Sequence, residues 1–367
     1  MTRYKLSEIC KIVSGSTPKT NVPEYWDGEN VWITPAEITD KTFIVYDSQR
    51  KLSNLGVEKT HLSSFPKGTV ILSSRAPIGK VAIAGVEMFC NQGFKNLICS
   101  EKIMNEYLYW FLKGKTKYLN SLGRGATFKE LSAKIIGNIE LEVPSIQEQK
   151  EVVIRLRKID QIIGVFEREV ELLDELIKAR FVEMFGNPVS NSKDLPVQKM
   201  NNVAPICQYD GSFEESVWLL NLDMVESQTG RIINYNIVSK DEIGGSVCTF
   251  DENNVLYSKL RPYLNKVVVP DGKGYATSEL VPLRPDPKII NRIYLAYLLR
   301  SNEFVEMIKE KVAGAKMPRV SMSDFREFNI PVPPLELQNQ FASFVEEIDK
   351  SRLLSNHSLF LIKSITF

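Results

Sequence analysis

Histidine is nearly absent from this sequence, and its cysteines never cluster. The 367 residues include two histidines, His61 and His357, and five scattered cysteines, none in a Cys-x-x-Cys pair. That spacing offers no zinc site and points to a reduced, cytoplasmic protein. No run approaches the ~18 apolar residues of a membrane span, and Met1–Glu8 lacks the apolar core of a secretion signal. Charge of one sign is not in excess: 46 Lys+Arg face 45 Asp+Glu, so no basic tail advertises a nucleic-acid partner. Chemical signatures are missing too. There is no Gly-x-x-x-x-Gly-Lys-Ser/Thr loop, and Gly123-Arg-Gly125 lacks the strand and third glycine of a dinucleotide fingerprint. There is also no Asn/Asp-Pro-Pro-Tyr segment to hold a target amine. The acidic pairs Glu214-Glu215 and Asp241-Glu242 read as loop charges. No catalytic residue and no metal site is expected, and these absences together favour a binding protein.

What the chain does contain is itself, twice. Val143-Pro144-Ser-Ile146-Gln-Glu-Gln149 resembles Val332-Pro333-Pro-Leu335-Glu-Leu-Gln338 at an offset of 189, which also brings Ile159-Asp160 onto Ile348-Asp349 and Leu131-Ser132 onto Val320-Ser321. Tyr107-Leu108 pairs with Tyr294-Leu295 at 187, Trp32-Ile33 with Trp218-Leu219 at 186, and Val70-Ile71 with Val255-Leu256 at 185. Matching segments that keep their order while the offset shifts by a few residues are what loop-length changes leave in a tandem duplication.

Each repeat reads as a globular part followed by a helix. In the first helix, about Ile146 to Phe185, the apolar positions Val152, Leu156, Ile159, Ile163, Phe166, Val170, Leu173 and Ile177 recur at alternating spacings of 4 and 3, with Met184 one heptad on. A mean period near 3.5 is a coiled-coil seam. Its 40 residues make a rod of roughly 60 Å. Gly186-Asn187-Pro188 stops it. The second helix carries Phe341, Val345, Ile348, Leu359 and Ile362 at matching positions. Arg352 and Ser355 interrupt the seam, and its far end, with Thr366, looks abbreviated. Duplicated domains need two-fold-like placement, so the helices are expected to pack antiparallel with a domain at each end. The predicted fold class is α+β: two tandem mixed α/β domains separated by two long helices forming an antiparallel coiled coil. The boundaries are 1–145, 146–187, 188–334 and 335–367. Val70–Leu72, Val81–Ala84, Val255–Tyr257 and Val267–Val269 read as strands, and Lys102–Lys117 and Asn291–Lys311 as helices.

Charge is partitioned. Lys and Arg outnumber Asp and Glu 19 to 14 over residues 1–145, but number 17 against 18 over residues 188–334. The first domain is mildly basic and the second is not. Local clusters soften this. Arg75, Lys80 and Lys95 lie near Asn91 and Gln92, and Lys259, Arg261 and Lys266 lie near Ser278. Arg with Asn/Gln can read guanine and adenine edges, and Lys, Ser and Thr contact phosphates.

Several segments together resemble a known family. They are Ser14-Gly15-Ser16-Thr17-Pro18, similar to a Gly-Thr-Pro loop, then Trp32-Ile-Thr34-Pro, Gly68-Thr-Val-Ile-Leu72 and Ile78-Gly79-Lys80. Val143–Gln149 leads into Ile159-Asp160, and Lys178-Ala-Arg180-Phe-Val-Glu-Met-Phe185-Gly-Asn-Pro closes the helix. The chain resembles the specificity (S) subunit of type I restriction-modification systems over nearly its whole length. The second repeat lacks the Gly-Thr-Pro loop; Tyr209-Asp-Gly211-Ser212 stands nearest. The resemblance implies two target-recognition domains that read the halves of a bipartite double-stranded DNA target, with helices that set the gap. It implies no catalysis and no cofactor on this chain. Two methyltransferase (M) subunits would carry S-adenosylmethionine, and motor/nuclease (R) subunits would use ATP and Mg. The abbreviated second helix raises the expectation of a truncated or recombined form.

On that reading the first-domain DNA contacts are Ser16, Thr17, Trp32, Arg75, Lys80, Asn91, Gln92 and Lys95, with Arg124 and Thr127 in a polar loop. The second-domain contacts are Tyr209, Ser212, Lys259, Arg261, Lys266, Thr277 and Ser278, with Lys316 in the matching loop. For Trp32 and Trp218, core packing outweighs base contact. The exposed helix faces near Gln149, Arg155, Arg180 and Gln338 are the expected methyltransferase surface. The competing readings are a coiled-coil scaffold whose arms bind proteins, and a nuclease, which would need a carboxylate cluster that the sequence does not offer.

Overall fold

The structure is a computed structural model and describes residues 2–124, 129–313 and 317–366. It divides into two compact units, one of residues 1–167 with 358–367 and one of residues 168–357. Both are mixed α/β, and each includes part of both long helices.

In the first unit a five-stranded sheet orders Cys10–Ser14, Lys95–Cys99, Val70–Leu72, Val81–Ala84 and Ile44–Val45. A three-stranded sheet places Trp26–Ile33 between Arg50–Leu52 and Phe89–Cys90. The apolar runs Val70-Ile-Leu and Val81-Ala-Ile-Ala are buried at every residue, as strands covered on both faces must be. Thr2–Lys5 closes the unit by pairing antiparallel with Glu140–Val143, just before the first long helix.

The second unit repeats this plan. Trp218 pairs in parallel with Gly274 as Trp32 pairs with Phe89. Val255–Ser258 lies between Val267–Val268 and Leu280–Leu283, as Val70–Leu72 lies between Val81–Ala84 and Lys95–Cys99. Val197–Lys199 pairs with Asn329–Pro331 before the second long helix. The duplication read from sequence is therefore present in the backbone pairing.

Two expected helices are each split. Lys102–Lys117 becomes Asn105–Lys113 and Thr116–Leu122, because Gly114 ends the first piece. Asn291–Lys311 becomes Arg292–Arg300 and Asn302–Lys309, because Ser301 leaves the helical region and its hydroxyl accepts from Phe304 N at 3.3 Å to start a new helix.

The long helices span Ile146–Phe185 and Leu335–Thr366. Ser145 and Glu148 form a reciprocal cap on the first, with Ser145 N to the carboxylate at 2.9 Å and Glu148 N to the hydroxyl at 3.3 Å. The Ser145 hydroxyl also holds the Glu148 carboxyl below its ordinary pKa. Gly186, at φ +71°, ends the helix in the left-handed conformation that glycine tolerates. In the second unit Phe181 lies 5.5 Å from Phe341 and Asp174 accepts from Arg352 at 2.9 Å. In the first unit Glu167 accepts from Lys363 at 2.9 Å. Residue numbers rise on one helix as they fall on the other, so the pair is antiparallel.

The seam needs correction near both helix ends. Val152 is exposed and Val153 is buried, packed with Leu156 against the first unit's core. Phe181 and Phe185, absent from the heptad reading, are buried among Tyr294, Phe341 and Val345. There the helix faces a whole domain, so it presents the wider stripe of an ordinary helix rather than a two-helix seam. On the second helix Ser355 is buried and Arg352 nearly so, in the seam positions that sequence assigned them. The side chain of Thr366 lies outside the described residues.

Candidate nucleic-acid interface

In the first domain the polar loops gather around Trp32. The indole is buried, in line with core packing, and its Nε1 donates to Ser16 O at 3.1 Å. Ser16 N donates to Cys90 O at 3.0 Å, which lays the Gly15–Pro18 loop on the segment 90–93. Gly15 is required because a Cβ there would overlap the carbonyls of Cys90 and Asn91. The Thr17 hydroxyl then bonds the Gln92 side-chain oxygen. Ser16, Thr17 and Gln92 are exposed together. Asn91 is half-buried, and its Oδ1 accepts from Gly93 N at 2.9 Å.

A second cluster forms where Ser73–Lys80 turns back. Ser73 Oγ donates to Pro77 O at 2.7 Å and accepts from Lys80 N at 2.9 Å. Arg75 pairs with Glu130 at 3.0 Å and Lys95 with the same carboxylate at 3.5 Å. Arg124 exchanges backbone hydrogen bonds with Glu130 at 3.2 and 2.9 Å. Lys95 is buried, so it serves as a brace under Glu130, while Arg75, Arg124 and Glu130 reach the surface. Lys80 is also tied inward, donating to Pro35 O at 3.0 Å.

The second domain repeats several of the bonds that hold this frame. Lys266 donates to Leu222 O at 2.6 Å, so both repeats use a lysine to hold the short helical turn that follows the tryptophan strand. Burial holds the Lys266 ammonium below its ordinary pKa, with nearby Asp223 opposing. Lys259 N donates to Glu279 O at 3.0 Å, as Ser74 N does to Gly93 O at 2.7 Å. Arg261 is exposed, in the left-handed region at φ +48°, and its N donates to Pro318 O at 2.8 Å. Arg319 grips Glu279 at 2.7 Å and thereby holds that carboxyl below its usual range. Tyr209, Phe213 and Tyr275 form an aromatic group, with ring centroids 5.3 Å apart for Tyr209–Phe213 and 4.5 Å apart for Phe213–Tyr275. Exposed Ser212 accepts from Lys273 at 3.2 Å. Thr277 pairs with Val247 in the strand ladder, and Ser278 N donates to Ser246 O at 3.1 Å.

Thr127 and Lys316 lie outside the described residues. Glu130 and Arg319 were missed by the sequence reading. The 189 offset that aligns Leu131 with Val320 also aligns Glu130 with Arg319, and was the available signal.

The expectation for Gln149 and Gln338 on exposed helix faces is corrected. Both are fully buried. Gln149 accepts from Met104 N at 2.8 Å and donates to Lys102 O at 3.0 Å and Pro144 O at 2.9 Å. Gln338 accepts from Asn291 N at 2.8 Å and donates to Ile289 O at 3.1 Å and Pro333 O at 2.7 Å. Each amide fastens the start of a long helix to the start of a shorter one, which leaves nothing for a partner. Arg155 is exposed. Arg180 pairs with Glu183 at 2.7 Å and lies 5.9 Å over Phe344.

A duplicated α+β module with matching polar loops and an antiparallel helix pair defines a class of repeated recognition proteins. The profile of the type I restriction modification DNA specificity domain matches residues 1–173 and 223–362, and the chain belongs to that family. It is 27% identical to the type I restriction enzyme MjaIX specificity subunit of Methanocaldococcus jannaschii, over 98% of this chain and 89% of that one. It is 26% identical to the EcoDI specificity subunit of Escherichia coli, over 67% of this chain and 63% of that one. Its fold is similar to that of the solved S subunit from M. genitalium (TM-score 0.54, 13% identity, 100% of this chain and 93% of that one). A chain from a solved type I restriction-modification system matches with TM-score 0.60 and 17% identity, over 100% of this chain and 95% of that one.

Proposed function

We propose that this DNA-specificity subunit reads a bipartite target, one half with each domain, and leaves the chemistry to its partners. The observation that carries this reading is the matched pair of exposed polar loop clusters on one duplicated frame. In the first domain these are Ser16, Thr17, Gln92, Arg75 and Arg124; in the second they are Ser212 and Arg261, with half-buried Tyr209. S-adenosylmethionine, ATP and Mg belong to the partner subunits on this reading. Among the described residues no group of three or more His, Cys, Asp or Glu could hold a metal, and no helix is long and apolar enough to cross a membrane.

Two methyltransferase subunits are the proposed protein partners, joined by motor/nuclease subunits. Support comes from a second apolar stripe on the first helix. Ile162, Val165, Leu172 and Leu176 are 47%, 67%, 47% and 46% exposed, at spacings that fit one helix face. Leu353, Leu354 and Phe360 on the second helix are also exposed. Side chains of this kind left in water mark a surface for partner helices. Arg155 lies on the same helix.

The test is DNA protection by the complex with its methyltransferase partner. The expected footprint is split, and affinity falls steeply as salt rises. Exchanging residues 20–140 for those of another family member should change one half-site only. Salt-independent binding, or a change in both halves, would refute the reading.

A further inference from the structure

The two domains act as internal controls for each other. Groups that hold the frame are kept in both: Ser73 and Ser258, Lys80 and Lys266, Gln149 and Gln338, Trp32 and Trp218. At one exposed position the chemistry is inverted. Arg75 bridges to Glu130 as Leu260 bridges to Arg319. Leu131 N donates to Ser74 O at 2.8 Å, as Val320 N does to Lys259 O at 3.0 Å. Glu130 and Arg319 therefore occupy the same backbone site with opposite charge.

Their partners do not correspond. The cations facing Glu130 come from Arg75 and Lys95, whereas the carboxylate facing Arg319 comes from Glu279. By the matched hydrogen bonds, Glu279 stands where the first domain has Gly93, and Leu260 stands where it has Arg75. A pair kept only to stabilise the frame would reuse the same two positions. Here each domain rebuilds a charged pair from different positions around one shared site. Both central groups stay accessible, with side chains 36% exposed at Glu130 and 44% at Arg319. Each is poised by its neighbour and free to exchange that neighbour for a base edge.

We propose that Glu130 and Arg319 are the equivalent base-reading side chains of the two domains. Glu130 accepts from the exocyclic amine of a cytosine in one half-site, and Arg319 donates to the O6 and N7 of a guanine in the other. Arg75 and Glu279 orient them. The inference rests on the bipartite reading above and adds which residue reads which class of base.

The test uses the complex of this chain with its methyltransferase subunits and a library of duplexes with randomised half-sites, sequenced for modified adenine. Glu130→Gln should shift one base pair of one half-site from cytosine toward adenine, which glutamine recognises through N6 and N7, by on the order of tenfold or more. Arg319→Gln should do the same to one guanine of the other half-site. The spacer and the opposite half should not change. If Glu130→Gln fails to assemble, Glu130→Asp keeps the charge with a shorter reach, and should lower discrimination at that base pair alone. Unchanged preference at every position in assembled variants overturns the inference while leaving the bipartite reading intact. Loss of discrimination in both halves at once also overturns it. A wild-type complex that selects no split site removes the bipartite reading itself, and the inference with it.

Discussion

In the first domain Lys80 donates to Pro35 O and the Gln149 amide makes three hydrogen bonds; in the second, Lys266 and Gln338 repeat both arrangements. Yet Glu130 faces two cations where Arg319 faces one carboxylate. The difference teaches how a duplicated reader diverges. Groups that satisfy buried backbone atoms cannot vary without leaving a donor or acceptor unpaired, which is costly in a low-dielectric interior. Exposed charges can be rearranged at little cost, because water screens them. The frame is thus held by energetics while the reading surface is free to change.

The sharpest way to break the comparison is at the buried amides. Gln149→Leu and Gln338→Leu should each cost about 3 kcal/mol, since each leaves one buried amide N–H and two carbonyls without their partner. Urea denaturation should give similar losses for both. A large loss at one and none at the other would show that the frames are not equivalent.

Next comes the helix pair, where the repeats do differ. Arg352 sits in the seam, bonded to Asp174 and Asp349, and Asp174 also holds Arg231. The first helix has Ile163 at the matching position, also buried. Arg352→Leu should cost about 2 kcal/mol, because Asp174 loses one of two partners in a mostly buried site. Asp174→Leu combined with Arg352→Leu should cost less than the two single changes added together, as a double-mutant cycle would measure.

Smaller effects sharpen the seam. Val153→Ala should lose about 1 kcal/mol by emptying a packed site, while Val152→Ala should change thermal stability by about 0.3 kcal/mol or less. Equal losses would contradict the burial pattern.

The smallest expected effect is one of pH. Arg319 depresses the folded-state pKa of Glu279, so this carboxylate stabilises the fold fully above its unfolded pKa of about 4.3. That contribution is lost as pH falls below this value and through the depressed one. Denaturation between pH 3 and 6 should therefore show a shallower acid loss in Glu279→Gln than in the unaltered chain. Identical acid profiles would refute the linkage.

Much of this was readable in advance because it depends on periodicity and repetition. The duplication, the two helices, their antiparallel sense and the polar interruption at Arg352 and Ser355 follow from apolar spacing and self-comparison alone. Individual side chains were harder. Gln149 and Gln338 look like surface residues at a helix start, and only the hydrogen-bond partners at residues 102–104 and 289–291 show why a polar group is buried there. Lys80, Lys95 and Lys266 looked like DNA contacts because they cluster in sequence with arginine and other polar residues, yet each spends its ammonium inside its own domain.

The order of apolar and polar residues along the chain determined the class of fold, its doubling and its family, because burial of a regular face is a local property that recurs in sequence. Which charges reach the surface was decided only by folding. That choice depends on partners far away in the chain, such as Glu130 for Arg75 and Glu279 for Arg319, and no local pattern records a distance between residues that meet only in three dimensions.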